Sequence, residues 1–308
     1  MIGTVTLNPA IDRRYNVDKL DINIVKRTSD YSATAGGKGL NVSRVVRILG
    51  EKVLAFGFLG GSEGDFIQRK ISELGIKSYF INIKGTTRTC LNIIDELGDN
   101  IEILEGGPTI TKDEENRLLK VFKSQIDNLD VVTLSGSLPK GIDNDIYGKL
   151  IKVINEKGKK AILDTSGRDL IVNLDSRPFL VKPNREELEN IIGGVLNTEE
   201  DIKKSAKKIL DLGAQNIAIS LGSEGMYFFG KLGNFKVNIP KIKAINPVGS
   251  GDSSIAGFAY GISKNLDIIE VLKYANACGV ANAMEKETGK IDVTVVNEIL
   301  EKIEVVIL

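Results

Sequence analysis

The chain contains no histidine and no tryptophan among its 308 residues. The lack of histidine excludes Ser-His-Asp triads, histidine-ligated metals and acid–base catalysis by imidazole. Any general base must therefore be a carboxylate, a lysine, a tyrosine or a cysteine. There are only two cysteines, Cys90 and Cys278, and they lie far apart without a CxxC spacing. This pattern favours reduced thiols in a cytoplasmic protein and argues against a zinc site.

The chain also lacks an excess of either charge and any long apolar run. Lys plus Arg and Asp plus Glu number 41 each, so the composition gives no bias towards nucleic acid or acidic membranes. No apolar stretch approaches the length of a membrane span. The first residues, Met1–Leu7, are typical of a buried strand and lack the features of a signal peptide. The length fits one large α/β domain or two small ones.

Short apolar runs alternate with helical patterns from about Leu129 onward. Each run ends in polar residues, and the runs are Val131–Leu134, Ala161–Leu163, Phe179–Val181 and Ile217–Ile219. Amphipathic stretches such as Asn144–Lys157 and Glu199–Leu212 lie between them. This alternation predicts an α/β fold with a mainly parallel sheet covered on both faces. Ligands bind at the carboxyl ends of such strands, so the polar residues there mark a candidate site.

The first third of the chain has a different pattern. Residues 12–35 and 86–106 read as extended segments with little helical signal. Within the second segment, Arg88–Asp95 and Ile101–Glu105 flank a Gly-Asp-Asn turn, which predicts a hairpin. We interpret the two segments as a small β lid that covers the sheet edge and keeps water away from the reaction there.

The most informative motif is Asn246-Pro-Val-Gly-Ser-Gly-Asp252. A strand is predicted at Lys243–Ile245 before it, and a helix is predicted after it. The turn Gly249–Gly251 would then lie at a helix N-terminus, where free backbone N–H groups and the helix dipole favour an anion. Asp252 adds a carboxylate base at the same place, which suits phosphoryl transfer to a hydroxyl. In isolation, however, the motif reads as a turn with a helix cap.

A second glycine-rich segment, Gly36-Gly-Lys-Gly-Leu-Asn41, precedes a clear helix that Gly50 ends. It does not match the phosphate-loop pattern G-x-x-x-x-G-K-[ST], and no strand is predicted directly before it. Lys38 and Asn41 could grip sugar hydroxyls or a sugar phosphate. The segment could equally be a turn with a solvated lysine, and taken alone it favours neither interpretation.

Two further segments allow two interpretations each. Ser220-Leu-Gly222-Ser-Glu-Gly225 fits a turn that faces a nucleotide, but taken alone it is better read as a hairpin signal. Asn184 and Glu187 could share a hydrated Mg²⁺, or they could simply begin a helix.

Arg27 and Arg88 both lie on the proposed lid. A single arginine on a β segment usually faces solvent. If both converged with Lys38 on one pocket, however, they would form a site for a dianionic substrate phosphate.

Taken in order, these segments resemble the ribokinase-like carbohydrate kinases of the phosphofructokinase B family. The two glycine-rich motifs carry the resemblance, which covers essentially the whole chain. Shorter matches accompany them at Thr6–Asp12, Thr87-Arg88, Ser135–Pro139, Val181–Asn184 with Glu187, and Ser220–Gly222. The resemblance implies one three-layer α/β/α domain over residues 1–308, with a small β lid. It also implies ATP and Mg²⁺, a sugar phosphate as substrate, and no nucleic-acid or membrane partner. A homodimer formed through the lid is a further expectation.

By matched position, the resemblance implies a role for each candidate site residue. Asp252 would be the catalytic base, beside an anion hole formed by the backbone N–H groups of Gly249, Ser250 and Gly251. The substrate side would comprise Asp12, Arg27, Gly37, Lys38, Asn41, Arg88 and Ser137. The nucleotide side would comprise Lys182, Asn184, Ser220, Gly222, Gly225 and Asn276, with Glu187 helping to place Mg²⁺. We expect the helix N-terminus to lower the pKa of Asp252.

Within the family, the chain resembles the branch that phosphorylates ketohexose phosphates. The form of the Asn246–Asp252 motif favours tagatose 6-phosphate as substrate over fructose 1-phosphate. The alternative from another class is a catalytically silent regulator on the same fold. The retained carboxylate and its complete Gly-Ser-Gly turn argue against that alternative. A Rossmann dehydrogenase is excluded because no G-x-G-x-x-G follows the first strand.

Overall fold

The computed structural model describes residues 1–308 as fourteen strands and ten α-helices. The strands are β1 (Ile2–Thr6), β2 (Ala10–Val17), β3 (Tyr31–Gly36), β4 (Val53–Leu59), β5 (Lys77–Asn82), β6 (Arg88–Asp95), β7 (Asn100–Leu104), β8 (Val131–Ser135), β9 (Lys160–Asp164), β10 (Leu180–Val181), β11 (Asn216–Ser220), β12 (Met226–Gly230), β13 (Phe235–Asn238) and β14 (Glu304–Ile307). The helices are α1 (Lys38–Ile48), α2 (Gly61–Glu73), α3 (Lys112–Gln125), α4 (Ile146–Glu156), α5 (Gly167–Asn173), α6 (Arg185–Ile192), α7 (Glu199–Asp211), α8 (Ser250–Ser263), α9 (Ile268–Ala283) and α10 (Val293–Leu300).

The larger sheet has ten strands in the order β14-β13-β12-β11-β10-β9-β8-β1-β4-β5. The seven strands from β5 to β11 along this order are parallel, and β12, β13 and β14 extend the sheet as antiparallel strands. The predicted mainly parallel sheet is therefore confirmed. From β1 the chain adds β4 and β5 on one side and β8 on the other. The strand order thus reverses between β1 and β8, which is where open α/β sheets bind ligands.

Helices cover both faces of this sheet. One hydrophobic core packs α3 to α7 against one face and includes the fully buried Phe122 and Ile151. A second core packs α1, α2, α8, α9 and α10 against the other face and includes Val45 and Phe258. Strands between two helical layers need apolar residues on both sides, and all seven residues of β4 are buried. The expected three-layer architecture is confirmed. None of the ten helices has the length and apolar character needed to span a bilayer.

A smaller sheet of four strands has the order β3-β2-β6-β7. The predicted hairpin is present, because β6 and β7 pair antiparallel. Strand β2 pairs with β6 in parallel, with Ala10 opposite Arg88 and Asp12 opposite Cys90. Since side chains alternate along a strand, Asp12 and Arg88 lie on the same face of this sheet.

Two local predictions are wrong. Lys243–Ile245 does not form a strand, and the chain approaches α8 as a loop in which the N–H groups of Ile245 and Asn246 both donate to Ala283 O. The glycine-rich segment at Lys38 is preceded directly by a strand, because β3 ends at Gly36. The small residues of β3 give little strand signal, and its pairing with β2 holds it extended.

Candidate active site

A polar pocket lies where the strand order reverses, between β1 and β8. Its volume is about 200 Å³, and none of its ten lining residues is hydrophobic. The lining comes from the carboxyl ends of β1, β8 and β9, from the start of α1 and from β6, and it consists of Thr6, Asn8, Gly37, Lys38, Arg88, Ser135, Gly136, Ser137, Thr165 and Ser166. The structure therefore brings four of the predicted substrate-side residues together, namely Gly37, Lys38, Arg88 and Ser137.

Several polar atoms of this pocket are buried without a hydrogen-bond partner in the protein. They include Thr6 Oγ1, Asn8 Oδ1 and Ser135 Oγ. Each such atom costs about 1–3 kcal/mol if it stays unpaired. A ligand that carries hydroxyl or phosphate groups would complete these hydrogen bonds.

Arg88 forms one wall of the polar pocket at the start of β6. Its guanidinium donates to Asn8 O at 3.1 and 3.3 Å and to Glu105 O at 3.0 Å. No carboxylate lies within ion-pair distance of it. Backbone carbonyls thus fix the planar group while its charge stays free to meet a phosphate dianion.

Asp12 lies on the same face of the smaller sheet as Arg88. The position depends on Gly36, because a Cβ at residue 36 would lie 2.0 Å from Asp12 Oδ2. Burial raises the pKa of Asp12 to about 6, and the charges of Arg88 and Arg44 oppose that rise. The carboxylate is therefore ionised above that pH and can accept hydrogen bonds from sugar hydroxyls.

The predicted anion hole lies at the N-terminus of α8. Gly249 is the N-cap residue with a φ of 83°, a left-handed conformation that favours glycine. The Ser250 N–H donates to Pro247 O at 3.2 Å, so of the three predicted donors the N–H groups of Gly249 and Gly251 remain free. A Cβ on Gly251 would lie 3.3 Å from Lys182 Nζ. A buried ammonium group therefore lies against this turn and adds to its affinity for an anion.

Asp252 follows in the first turn of α8 and is 7% exposed. It accepts a 2.9 Å hydrogen bond from Asn41 Nδ2. Burial raises the pKa of Asp252 to about 7, and the charge of Asp164 adds to the rise, whereas Asn41, Lys38 and Lys182 oppose it. The predicted lowering of this pKa is wrong, because removal of the carboxylate from water raises the pKa more than Asn41, Lys38 and Lys182 lower it. A carboxyl group that titrates near neutral pH is well matched to work as a general base.

A group of opposite charges, in which Asp164 and Lys182 are buried, links the polar pocket to the anion hole. Asp164, the last residue of β9, lies 3.7 Å from both Lys38 Nζ and Lys182 Nζ. Lys38 Nζ also lies 3.7 Å from Glu187 Oε1. Asp164, and to a lesser extent Glu187, raises the pKa of Lys38. Asp164 was absent from the predicted site, and its only sequence signal is its place at the end of a predicted strand.

Most of the predicted nucleotide-side residues lie at neighbouring strand ends. Ser220, at the end of β11, forms an isolated bridge with Asn184. Gly222 and Gly225 lie in the turn between β11 and the antiparallel β12, so the hairpin interpretation of this turn is confirmed. Asn276 is buried on α9, where its amide donates at 2.8 Å to a backbone carbonyl of the same helix.

Asn184 and Glu187 begin α6 as a capping box. The Glu187 N–H donates to Asn184 Oδ1 at 2.8 Å, and the Asn184 N–H donates to Glu187 Oε2 at 3.0 Å. The helix-start interpretation is thus confirmed. The second oxygen of Glu187 faces Lys38, and no group of three or more potential ligands among His, Cys, Asp and Glu is present. One available carboxylate oxygen suits a hydrated Mg²⁺ held mainly by water and substrate phosphates.

Arg27 does not reach the polar pocket within one chain. It is exposed in the segment between β2 and β3, where the neighbouring Lys26 pairs with Asp18 at 2.9 Å and Asp21 at 3.2 Å. This segment runs outside both sheets. The predicted convergence of Arg27 with Lys38 and Arg88 is therefore not found in the single chain.

The geometry defines a class of protein. A buried carboxylate lies beside a helix N-terminus and a buried lysine, and the adjoining polar pocket carries an arginine without an ion pair. An α/β phosphotransferase that acts on a hydroxyl needs these parts, because its catalysis rests on positioning and on electrostatic stabilisation.

The comparison with known families agrees with this class. The model for the pfkB family of carbohydrate kinases matches residues 2–294. The chain is 44% identical to the tagatose-6-phosphate kinase of Staphylococcus epidermidis, over 99% of both chains. The chain belongs to the pfkB family of carbohydrate kinases, and it is therefore an enzyme that transfers a phosphoryl group to a carbohydrate. The resemblance inferred from the sequence is confirmed.

Solved structures share the complete fold. The chain is 25% identical to the phosphofructokinase-2 of Escherichia coli in complex with fructose-6-phosphate, with a TM-score of 0.87 over 98% of both chains. The same enzyme has also been solved in a tetrameric inhibited form. A Thermotoga maritima protein described as a possible 1-phosphofructokinase is 26% identical, with a TM-score of 0.89 over 100% of this chain and 99% of that one.

Proposed function

We propose that the chain is an ATP-dependent kinase of a ketohexose phosphate, with tagatose 6-phosphate as the preferred acceptor and tagatose 1,6-bisphosphate as the product. The full-length similarity to the staphylococcal tagatose-6-phosphate kinase supports this substrate. Arg88 is the single observation that carries the proposal. It lies on the wall of a wholly polar pocket and has no ion-pair partner in contact, so a neutral sugar would leave only the more distant Asp12 to balance its charge.

In this proposal the sugar phosphate spans the polar pocket. Its phosphate lies against Arg88 and Ser137, and its ring hydroxyls meet Asp12 and Asn41. The reacting hydroxyl points to Asp252, which already shares a hydrogen bond with Asn41. A hydroxyl in that place would hydrogen-bond to the carboxylate that receives its proton.

ATP is proposed to bind along the carboxyl ends of β10 and β11. Lys182 would meet its phosphates beside the anion hole, and the free N–H groups of Gly249 and Gly251 would face the transferred phosphoryl group. Asn184, Ser220, Gly222, Gly225 and Asn276 would line the rest of this side. Bound Mg²⁺ would neutralise charge on the phosphates, and the second carboxylate oxygen of Glu187 would hold it, directly or through water.

The proposed reaction is a single displacement. The sugar oxygen forms a bond to the γ-phosphorus while the bond from that phosphorus to the bridging oxygen of ADP breaks, and the hydroxyl proton passes to Asp252. The transition state is loose, so the base need only accept the proton late. Lys38, between Asp164 and Glu187, supplies positive charge near the transferred group.

The smaller sheet is proposed to act as a lid and as the surface through which two chains associate. It carries Asp12 and Arg88 over the pocket. Several of its large apolar side chains are nevertheless exposed, including Tyr31, Ile101, Ile103 and Leu104. Exposed apolar groups of this kind favour association, and the related Escherichia coli enzyme has a tetrameric form.

We expect phosphorylated ketohexoses to be used far more efficiently than free sugars. Each charge-assisted hydrogen bond to a phosphate contributes about 1.5–3 kcal/mol, so tagatose 6-phosphate should exceed free tagatose in kcat/KM by roughly 10²-fold or more. This preference is measured from initial rates of ADP formation with MgATP. The acceptors compared are tagatose 6-phosphate, fructose 1-phosphate, fructose 6-phosphate and the free sugars.

The same panel separates the alternatives. Fructose 1-phosphate is the second candidate acceptor, because of the similarity to the Thermotoga maritima protein. A highest kcat/KM for it would change the substrate and keep the phosphate site. A highest kcat/KM for a free sugar would contradict the role proposed for Arg88.

The pH dependence of the free enzyme should show the titration of Asp252. The carboxyl must be ionised to accept a proton, so kcat/KM is expected to fall about tenfold per pH unit below about pH 7. The fall should steepen below about pH 6, where Asp12 is protonated as well. This fall in kcat/KM towards low pH is the acid limb of the profile. It is measured from rates at substrate concentrations well below KM, in buffers of constant ionic strength. A profile that stays flat from about pH 5 to pH 8 would contradict the assignment of the base.

A further inference from the structure

Arg44 is a partly buried cation for which the reaction described above has no use. It lies on α1 and follows Asn41 by three residues. Its guanidinium donates to Ala35 O and to Thr288 O, each at 2.7 Å, and one nitrogen, Nη1, also donates to Asn41 Oδ1 at 3.4 Å. No carboxylate lies within ion-pair distance of it. A partly buried arginine without a direct counter-ion needs an explanation, because its partial removal from water is costly and lowers its pKa.

Three segments of the chain meet at this guanidinium. Ala35 belongs to the end of β3, Asn41 belongs to α1, and Thr288 belongs to the loop between α9 and α10. Gly289 lets that loop pack closely, because a Cβ there would lie 3.0 Å from both Arg44 Nη1 and Asn41 Cβ. Its φ of 67° also favours glycine. The loop therefore fixes Arg44 against Asn41.

We propose that Arg44 is a positioning residue, which sets the orientation of the Asn41 amide so that Asn41 donates a hydrogen bond to Asp252. This inference rests on the proposed role of Asp252 as the base. An asparagine amide has a donor end and an acceptor end, whereas a guanidinium group can only donate. Arg44 can therefore face only the Asn41 oxygen, and this leaves the Asn41 nitrogen pointing to Asp252.

The reverse orientation of the amide would be unfavourable at both ends. The Asn41 oxygen would then oppose the carboxylate of Asp252, and its nitrogen would oppose the donors of Arg44. Loss of a hydrogen bond to an ionised group costs about 1.5–3 kcal/mol. Arg44 thus excludes the orientation in which Asn41 donates no hydrogen bond to Asp252.

The charges around both groups fix the direction of the expected pH effect. Asp252 is faced by Asp164 from β9, Lys38 from α1 and Lys182 from the end of β10. Arg44 is faced by the carboxylates Asp12, Glu287 and Asp252. Loss of Arg44 would remove a positive charge and free the Asn41 amide, and both changes favour the protonated form of Asp252. The acid limb of kcat/KM should therefore move to higher pH.

The test begins with Arg44→Met, which keeps an unbranched apolar stem and removes the charge and the guanidinium donors. We expect kcat to fall roughly tenfold and the acid limb to rise by about half a pH unit, with the KM for ATP little changed. Arg44→Lys keeps the charge, so its acid limb should stay near that of the wild type while kcat falls less. Arg47→Met is the matched control on the same helix, because Arg47 donates to Leu74 O and Glu51 O away from the site.

A double-mutant cycle with Asn41→Ala decides whether Arg44 acts through Asn41. If it does, Arg44→Met should lower kcat little further once the amide is absent, so the two losses should be far from multiplicative. Multiplicative losses would overturn the proposal. So would an Arg44→Met protein that melts at a lower temperature with an unchanged kcat and acid limb. If Arg44→Met does not fold, the cycle is run with Arg44→Lys.

A failure of the proposed function would be recognised separately. In that case the wild-type enzyme would show no acid limb near pH 7, and Asp252→Asn would keep its turnover. A wild-type limb that vanishes in Asp252→Asn but is unmoved in Arg44→Met would overturn the role of Arg44 alone.

Discussion

Asp252→Asn is expected to lower kcat by ~10²–10⁴-fold, which is the usual contribution of a general base. Asparagine keeps the size of the side chain and an acceptor for Asn41, but it does not take up a proton at neutral pH. Binding of the sugar phosphate should therefore change little. Turnover is measured from ADP formation and affinity by titration calorimetry. A variant with near-normal kcat would remove Asp252 from the role of base.

The same substitution is expected to stabilise the folded protein above neutral pH. The pKa of Asp252 is about 7 in the folded protein against an ordinary value of 3.8, so the group favours the folded state while it is neutral. This stabilising contribution is complete below about pH 4 and is lost as the pH rises through about 7, where the fold must hold a buried carboxylate. The variant should gain at most ~4 kcal/mol at higher pH.

Thermal melting of both proteins over a range of pH checks this expectation. The difference in Tm between Asp252→Asn and the wild type should be positive at about pH 8 and should shrink towards about pH 5. A variant that melts below the wild type at every pH would show that burial of this carboxylate carries no such cost.

Arg88→Ala is expected to raise the KM for the sugar phosphate by roughly 10–100-fold, because a charge-assisted contact with phosphate contributes about 1.5–3 kcal/mol. The KM for ATP should change little, since the proposed nucleotide side lies along β10 and β11. Steady-state kinetics with each substrate varied in turn separates the two effects. Arg14→Ala is the matched control, because Arg14 lies on β2 and donates to Asn16 Oδ1 outside the pocket.

Two outcomes would count against the phosphate role of Arg88. Equal increases in both KM values would indicate a defect in folding or in closure of the smaller sheet. An unchanged preference for tagatose 6-phosphate over free tagatose in the Arg88→Ala protein would place the phosphate elsewhere.

Much of the fold could be predicted because its signals are local. The strands β8, β9 and β11 are continuous apolar runs that end in polar residues, and the hairpin of β6 and β7 has a turn signal between two extended runs. Their carboxyl ends then follow from parallel topology. The polar pocket is built largely from these ends.

Predictions from local sequence patterns were wrong where a contact with a distant part of the chain decides the structure. Lys243–Ile245 precedes a glycine-rich turn as a strand often does, but the loop instead donates two hydrogen bonds to Ala283 O. The pKa of Asp252 depends on its depth in the protein and on Asp164, and neither can be read from the Gly-Ser-Gly-Asp motif.

The sequence does not reveal the importance of Asp164 and Arg44, because that importance depends on contacts with distant parts of the chain. Asp164 gains importance only because Lys38 and Lys182 approach it from α1 and from the end of β10. Arg44 looks like an ordinary helix arginine until the loop at Thr288 is packed against it. Contacts between charged residues from distant parts of the chain produce no recognisable spacing pattern in the sequence.

The proposed arrangement places Arg88 and Asp252 at opposite ends of one bound sugar phosphate. A crystal structure with tagatose 6-phosphate, Mg²⁺ and a non-hydrolysable ATP analogue tests it most directly. We expect the sugar phosphate group on Arg88 and Ser137, with the C1 hydroxyl within hydrogen-bond distance of the Asp252 carboxylate. A sugar phosphate group bound away from Arg88, or a C1 hydroxyl turned away from Asp252, would contradict it.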